Sequence, residues 1–444
     1  MRTPKYMQLA EMIAKTINDG TLAPGSKMPT HRAFADKFDI ALATATRVYG
    51  ELERRGVVIG EAGRGTFVRD SGVPLTLGVH QTAATDQIDL VFNMPSGVGD
   101  GDLLRAGLRR LSASGDLEAL LRYQPHGGRP HERRIITNHL TPTLGLIDSE
   151  RLLVTSGGQH GLAITVLGLL QQGNAVATDT LTYPGFKSVA AMHRLDLVPI
   201  NGTQGVMDPD DLDKQCSARK IHAVYLMPTV QNPLGSVMDT QTRDRIVDVA
   251  RKHDLTIIED AAYAFLERNA PLSLIQLAPE RTIYIGGFSK SLATGLRLGY
   301  IISPEQSVAK LIEAIRATTW NAPALISSLV TGWIEDGTLA QSEDRRRTDG
   351  AARQRICQTV LDGLPIIAHP NAGFAWLPLK HGTRAASIVT QLNAKGISIS
   401  GADAFATTTA IPQALRLAFG GLTSAEMENS IKTVRDAVLT GGAR

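Results

Sequence analysis

Apolar positions in the first seventy residues follow a helical period. Leu9, Met12, Ile13 and Ile17 recur at helical spacing, and Asn18-Asp19-Gly20 supplies a stop. Pro24-Gly25 reads as a turn, and Pro29-Thr30 starts a second helix with Thr30 at its N-cap. Ala33, Phe34 and Phe38 give that helix a buried side. A break at Asp39-Ile40 leads to a third helix running to Arg55 and ended by Gly56, with Val48 and Leu52 inward and Thr44, Thr46 and Arg47 on an outer face. The period then changes. Val57-Val58-Ile59 and Thr66-Phe67-Val68, joined through Gly63-Arg64-Gly65, predict a hairpin with a glycine-rich tip. Residues 71–88 have no clear period and read as a linker or as a strand-like packing segment. Beyond them, short apolar runs alternate with helical stretches. Leu152–Thr155, Ala175–Ala177, Val224–Met227, Leu255–Ile258 and Thr282–Ile285 predict buried strands of a mainly parallel α/β sheet with helices on both faces.

Composition narrows this picture. A chain of 444 residues with 43% hydrophobic and 20% charged residues predicts a soluble globular protein of two or three domains. Cys216 and Cys357 offer no disulfide framework and no metal-ligand spacing, so no metal is expected and a reducing cytoplasm is the simplest compartment. The N-terminal stretch lacks the apolar core of a secretory signal, and the longest apolar run, Gly161 to Leu170, is too short to span a bilayer. The net charge is only +3, but residues 1–70 carry all of it, with 11 Lys and Arg against 8 Asp and Glu. Three helices followed by a hairpin form the winged helix-turn-helix pattern, whose third helix enters the major groove of DNA. The local positive excess fits that use, although a small helical domain with ordinary surface charge would show the same balance.

Candidate chemistry centres on Gly286 to Tyr300, GGFSKSLATGLRLGY. Lys290 follows a strand exit, Ser289 and Ser291 flank it, and Arg297 lies seven residues on. The lysine amine suits Schiff-base formation with an aldehyde, and the arginine and hydroxyls suit a phosphate. Taken alone, the stretch is equally a solvated lysine in a surface turn. Ser156-Gly157-Gly158-Gln159 opens a helix, so its free N–H groups and positive dipole end offer a second phosphate contact. Asp260 ends a buried strand, where ligand chemistry sits in parallel sheets, and it is equally placed to cap a helix.

The body resembles the fold-type I enzymes that use pyridoxal 5'-phosphate (PLP), the aminotransferase superfamily. The resemblance covers roughly residues 89–444 and rests on an ordered series: the glycine turn TSGGQ, Tyr183 in TYPG, Asn232 in QNPLG, Asp260 and Tyr263 in EDAAY, Lys290 and Arg297. It implies that Gly157, Gly158, Gln159, Ser289 and Arg297 hold the phosphate and that Tyr183 lies over the ring. Asn232 and Tyr263 would bond the ring oxygen, and Asp260 would keep the pyridine nitrogen protonated. It also implies that Tyr123 reaches the phosphate of a neighbouring subunit and that Arg416 binds a substrate or effector carboxylate. One departure is Gly287, where the family has Ser or Thr three residues before the lysine, so one phosphate hydroxyl is missing. The small domain is expected from residues 89–145 and 321–444, and the large one from 150–320.

Residues 1–70 resemble the DNA-binding domain of the GntR regulators through Leu22-x-Pro24-Gly25, Met28-Pro29-Thr30-x-Arg32, Thr44, Tyr49, Leu52, Gly56 and Gly63-x-Gly65-Thr66-Phe67-Val68. This implies DNA contacts by Arg32, Thr44, Thr46, Arg47 and Arg64. Ala41 and Leu42 stand where the family has Ser-Arg, which removes a cap and a DNA-contacting arginine. A GntR-like head on an aminotransferase-like body is the layout of the MocR-type regulators. The expected protein is a PLP-binding transcriptional regulator that senses PLP or an amino compound through a Schiff base at Lys290, as a homodimer with the head of one chain packed on the body of the other. The alternatives are a working PLP-dependent aminotransferase with an accessory DNA-binding domain, and a regulator whose body has lost PLP.

Overall fold

The computed structural model describes residues 4–18, 22, 25–54, 57–61, 65–68, 87–97, 100–113 and 117–441. The head is built from α1 (Lys5–Asn18), α2 (His31–Phe38) and α3 (Leu42–Arg54), closed by the antiparallel pair β1 (Val58–Glu61) and β2 (Gly65–Val68). The Thr30 hydroxyl accepts from the Ala33 N–H at 3.2 Å, so α2 starts on the expected cap. Ala10, Ile13, Phe34, Ala45, Val48, Tyr49 and Leu52 form the core. Two assignments shift. Met12 is 44% exposed and Ala33 is exposed, while Ala10 and Ala35 fill the places beside Ile13 and Phe34. Small alanines let the helices approach closely, and a count of large apolar residues overlooks them. Gly56, Gly63 and Arg64 lie outside the described residues.

The large domain is a seven-stranded sheet in the order β4 (Leu152–Thr155), β12 (Gly299–Ile302), β11 (Thr282–Gly287), β10 (Thr256–Asp260), β9 (Ala223–Leu226), β5 (Ala175–Asp179), β6 (Asp196–Ile200). Only β12 runs antiparallel to its neighbours. Successive side chains alternate between faces. On one face Leu153, Tyr225, Ile258, Ile283 and Ile285 meet α6 (Gly158–Leu169), α7 (Pro184–Met192) and α11 (Glu305–Thr318). On the other, Val224, Leu226 and Ile257 meet α8 (Pro209–Ala218), α9 (Thr240–Lys252) and the short α10 (Leu274–Leu277). A small hairpin, β7 (Gly202–Thr203) with β8 (Val206–Met207), leads into α8.

The remaining part of that second face differs from expectation. Leu152, Val154, Tyr284 and Tyr300 pack with Ile136, Leu140 and Leu144 of α5 (Pro130–Leu144) and with Leu329, Val330 and Trp333 of α12 (Ala324–Glu335). Gly107 of α4 (Asp100–Ala113) lies against Trp333. Helices α4, α5 and α12 therefore belong to the large domain, because their apolar faces pack in the layer on its sheet. The small domain starts at β3 (Ile88–Asp89), which pairs in parallel with β14 (Ile397–Ser398). Residue 88 is thus strand, and most of the expected linker lies outside the described residues. The domain continues through the C-terminal half of α13 (Thr338–Val360), the sheet β13 (Phe374–Pro378), β16 (Ala414–Ala418), β15 (Ser400–Gly401), and the helices α14 (Ala385–Asn393) and α15 (Ser424–Gly441). Leu90, Ile388, Leu392, Leu415, Leu417 and Ile431 share its core. No helix among the described residues is long and apolar enough to cross a membrane.

Head and small domain touch within one chain. The Arg384 guanidinium, at the start of α14, lies 3.9 Å from the centroid of the Phe67 ring and donates to the Gly25 carbonyl at 3.0 Å.

Candidate functional site

The carboxyl ends of the parallel strands open into a cavity of about 420 Å³. Gly158, Gln159, Tyr183, Asn232, Asp260, Tyr263, Ser289, Lys290, Arg297 and Arg416 all line it. Residues far apart in the sequence are thus brought to one place by the large sheet and by β16.

Asp260 is the last residue of β10 and is 4% exposed. Burial raises its pKa, opposed by the Tyr225 hydroxyl, which donates to it at 2.8 Å, by the Ala262 N–H at 3.0 Å, and by the charge of Lys290. Tyr225 sits on β9 in register with Ile258 and stacks flat on Phe186 with centroids 3.8 Å apart. Sequence reasoning misses Tyr225 because a strand tyrosine looks like ordinary core. Lys290 lies in the turn after β11, its Nζ 2.6 Å from the Asn93 carbonyl and 5.8 Å from the centroid of the Tyr263 ring. Asn93 also donates from Nδ2 to the Tyr263 hydroxyl at 3.0 Å. Asn93 escapes a sequence reading as well. Its one signal is a polar residue ending the apolar run Leu90-Val91-Phe92, shortly before Pro95.

A second cluster suits an anion. Gly157 has φ 88 and precedes the first residue of α6, leaving N–H groups of that helix end free of intrahelical partners. A Cβ on Gly157 would stand 2.8 Å from Arg297 Nη2, so only glycine lets the guanidinium approach. Arg297 itself takes φ 48 and donates to the Ser289 hydroxyl at 3.4 Å. Gln159 is the second residue of α6, and its side-chain amide donates to the Gly185 carbonyl at 2.9 Å, which leaves its backbone N–H as the group directed at this cluster. A Cβ on Gly287 would lie 3.5 Å from the Gly158 nitrogen and 3.3 Å from the Leu298 carbonyl, so a small side chain fits with slight adjustment. Gly287→Ser is therefore expected to add one hydroxyl to this cluster and tighten PLP by about 1 kcal/mol, roughly 5-fold, the typical net worth of one hydrogen bond. An absorbance titration measures this, and unchanged or weaker binding would separate Gly287 from the phosphate position.

Arg416, on β16, is 3% exposed. Its Nη1 donates to the Val91 carbonyl at 2.8 Å, and the guanidinium lies 5.0 Å from the Phe374 ring centroid and 5.9 Å from that of Phe405. Burial lowers its pKa, and the charges of Tyr263, Asp89 and Tyr183 act against that. Among the described residues its Nε is buried without a partner, as is the side-chain oxygen of Asn232, whose bond to Pro233 is cis. Burial also raises the Tyr183 pKa, so that hydroxyl stays protonated. Tyr123 is not brought to the cavity of its own chain. It is 86% exposed, with its ring 5.6 Å from that of Trp320. Among the described residues no group of His, Cys, Asp and Glu could hold a metal ion.

On the head, Arg32, Thr46 and Arg47 are exposed and Thr44 is half-buried. The Thr46 hydroxyl donates to the Leu42 carbonyl at 3.1 Å within α3 and lies 3.4 Å from His31 Nδ1. Leu42, the first residue of α3, is 48% exposed. A leucine there offers apolar contact instead of the charge an arginine would bring. If Arg32 and Arg47 meet phosphates, neutralising either one is expected to lower the slope of log affinity against log salt by about 1. Unchanged slopes for both single variants would remove them from the interface.

Residues 85–434 match the family described as aminotransferase class I and II, and residues 5–68 match the bacterial regulatory proteins of the gntR family. The chain is similar to an uncharacterized HTH-type transcriptional regulator, YdeF, of Bacillus subtilis, 27% identical over 411 residues, which cover 92% of this chain and 88% of that protein. It is also similar to the HTH-type pyridoxine biosynthesis transcriptional regulator PdxR of Corynebacterium glutamicum, 24% identical over 443 residues, 98% of this chain and 96% of that one. Among solved structures, Pyrococcus horikoshii kynurenine aminotransferase superposes with a TM-score of 0.74 at 22% identity, over 80% of this chain and 92% of that one. LysN, the alpha-aminoadipate aminotransferase of Thermus thermophilus, gives 0.73 at 22% identity, over 81% and 93%. At that identity the two structures establish the fold.

Proposed function

We infer, for a chain that belongs to the class I and II aminotransferase family and carries a gntR-family domain at its head, a DNA-binding transcriptional regulator whose body binds PLP and reports its occupancy to the head. The observation that carries this reading is the joining of two complete parts. A winged head with outward Arg32 and Arg47 sits on a body whose cavity gathers Lys290, Asp260, Arg297 and Arg416. The residues fit the cofactor chemically. The glycine cradle under Arg297 suits a phosphate, the buried Asp260 suits a protonated ring nitrogen, and the Lys290 amine lines the same cavity.

When bound, the cofactor supplies an aldehyde that condenses with amines and a ring that draws electrons from them. The chain's own residues do the rest. The Tyr225 hydroxyl and the Ala262 N–H orient the Asp260 carboxylate and favour its charged form. Arg297 and the first N–H groups of α6 fix a phosphate by charge and direction. Lys290 holds the reactive amine, positioned by the Asn93 carbonyl. Arg416 offers a buried guanidinium to a carboxylate, which selects an amino-acid-like effector.

The working form in this proposal is a cytoplasmic homodimer bound to operator DNA. The exposed position of Tyr123 leaves it available to a neighbouring subunit. One feature also favours an aminotransferase: Asp260, Lys290 and Arg416 all line one cavity. The deciding experiment is operator binding by the full chain with and without PLP, beside a transamination assay with a panel of amino acids. Turnover without any effect on operator binding would reverse the order of the two readings.

A further inference from the structure

We propose that residues 88–97 act as a strap that reads the engagement of Lys290 and Arg416 and passes it toward the head; this rests on the sensor reading above. In the sequence, residues 69–87 lead from the head's hairpin directly into this segment. At its start it is anchored to the small domain. The Ile88 and Leu90 N–H groups donate to the Gly396 and Ser398 carbonyls at 2.8 and 2.9 Å, and the Leu90 side chain is fully buried. The Asp89 carboxylate accepts from the N–H groups of Val91 at 2.7 Å and Phe92 at 3.1 Å, which folds the next turn. At its far end the Ser96 carbonyl accepts from Arg346, which also donates to the Leu292 carbonyl at 2.6 Å, two residues from Lys290.

Between these anchors the backbone serves two of the cavity's cations. The Val91 carbonyl takes Arg416 at 2.8 Å, and the Asn93 carbonyl takes Lys290 Nζ at 2.6 Å. Both acceptors are neutral. A carboxylate competes strongly for a guanidinium held by a carbonyl, because bonds between two charged groups are the stronger. A Lys290 ammonium that has condensed with an aldehyde, releasing water and a proton, has lost its donors to Asn93. The two carbonyls, two residues apart in a half-buried stretch, then exchange these cations for water or for other partners. This change of partners loosens the strap at residues 91–93, and its covalent continuation upstream is the connection to the head.

Hydrogen–deuterium exchange of peptides spanning 88–97, in the full-length protein, tests this. Lys290→Ala without cofactor already lacks the donor to Asn93. Its segment is expected to exchange roughly 5-fold or more faster than in cofactor-free wild type, a change at the low end of ordinary couplings, and to match wild type with PLP. Peptides of α15 serve as the control for global unfolding. A second variant, Asp89→Ala, removes the strap's own turn, and Asp89 does not line the cavity. It is expected to load PLP normally, read as borohydride-trapped mass, while its operator affinity no longer responds to PLP. Equal exchange of 88–97 in cofactor-free wild type and Lys290→Ala overturns the strap, as does an undiminished response in Asp89→Ala. Wild type that takes up no PLP overturns the sensor reading instead, and the cofactor-free comparison still judges the strap.

Discussion

Borohydride reduction of the PLP-loaded protein is expected to leave a pyridoxyl group on Lys290 and on no other lysine, and Lys290→Ala to abolish it. Lys290 lines the cavity, and Lys187 lies between Gly185 and Ser188, which also line it. Lys187, on α7, is 5% exposed, and its Nζ donates to the carbonyls of Ala406 at 2.6 Å, Ala404 at 2.8 Å and Asp403 at 3.3 Å. Those three bonds tie α7 to the small domain and leave its amine no freedom to attack. Lys290 donates to the Asn93 carbonyl and lines the cavity with Asp260 and Arg297. Peptide mapping of the reduced protein decides between them. A pyridoxyl mass on Lys187, or on none, would sink the assignment. Asp260→Ala is the companion variant. It removes the carboxylate proposed to hold the ring nitrogen but leaves the amine, so trapping is expected to persist while affinity falls.

Much of this site is readable in the sequence because each residue follows an element with a strong local signal. Lys290 and Asp260 sit at the ends of apolar strands, and Gly157 and Gly158 open a helix, so strand and helix boundaries locate them. Arg416 has no such boundary, since it lies in the middle of ALRLA, and only the family resemblance singles it out. What cannot be read are contacts that depend on register and on distant chain. Tyr225 meets Asp260 only because β9 and β10 pair in parallel at that register. Asn93 meets Lys290 across 197 residues of sequence. The expected division of the body fails in the same way. Residues 100–144 precede the first strand of the large sheet and so look like part of the small domain, yet the apolar face of α5 is covered by β4. Sequence order says which elements exist, and burial decides which core they join.

Operator affinity is expected to change roughly 5–150-fold when PLP, or an amine with a carboxylate, fills the cavity, the range of ordinary coupling energies of about 1–3 kcal/mol. The small domain makes this possible because it carries both ends of the connection. Arg416 on β16 lines the cavity, Arg384 at the start of α14 contacts the head, and Leu415, Leu417, Ile388 and Leu392 of the same two elements share one core. A close-packed core has low compressibility and transmits strain, so it links a pull on Arg416 to Arg384. At the head, Arg384 covers the Phe67 ring of the wing at 3.9 Å and bonds the Gly25 carbonyl. In a dimer that reads two half-sites, a shift of each head changes their spacing and hence their affinity. A ligand moves this equilibrium only by its differential affinity for the two states, and operator DNA must change the ligand's affinity by the same factor. Arg384→Ala is therefore expected to keep PLP binding and direct DNA binding but to reduce the factor, since a cation–π contact and one hydrogen bond are worth about 1–2 kcal/mol together. The measurement is a titration of operator binding for wild type, Lys290→Ala and Arg384→Ala, each with and without PLP and candidate amines. If wild type binds operator equally well in every condition while loading PLP, the body is not a sensor and the aminotransferase reading takes its place. If wild type responds and Arg384→Ala responds as fully, the signal does not pass through the wing.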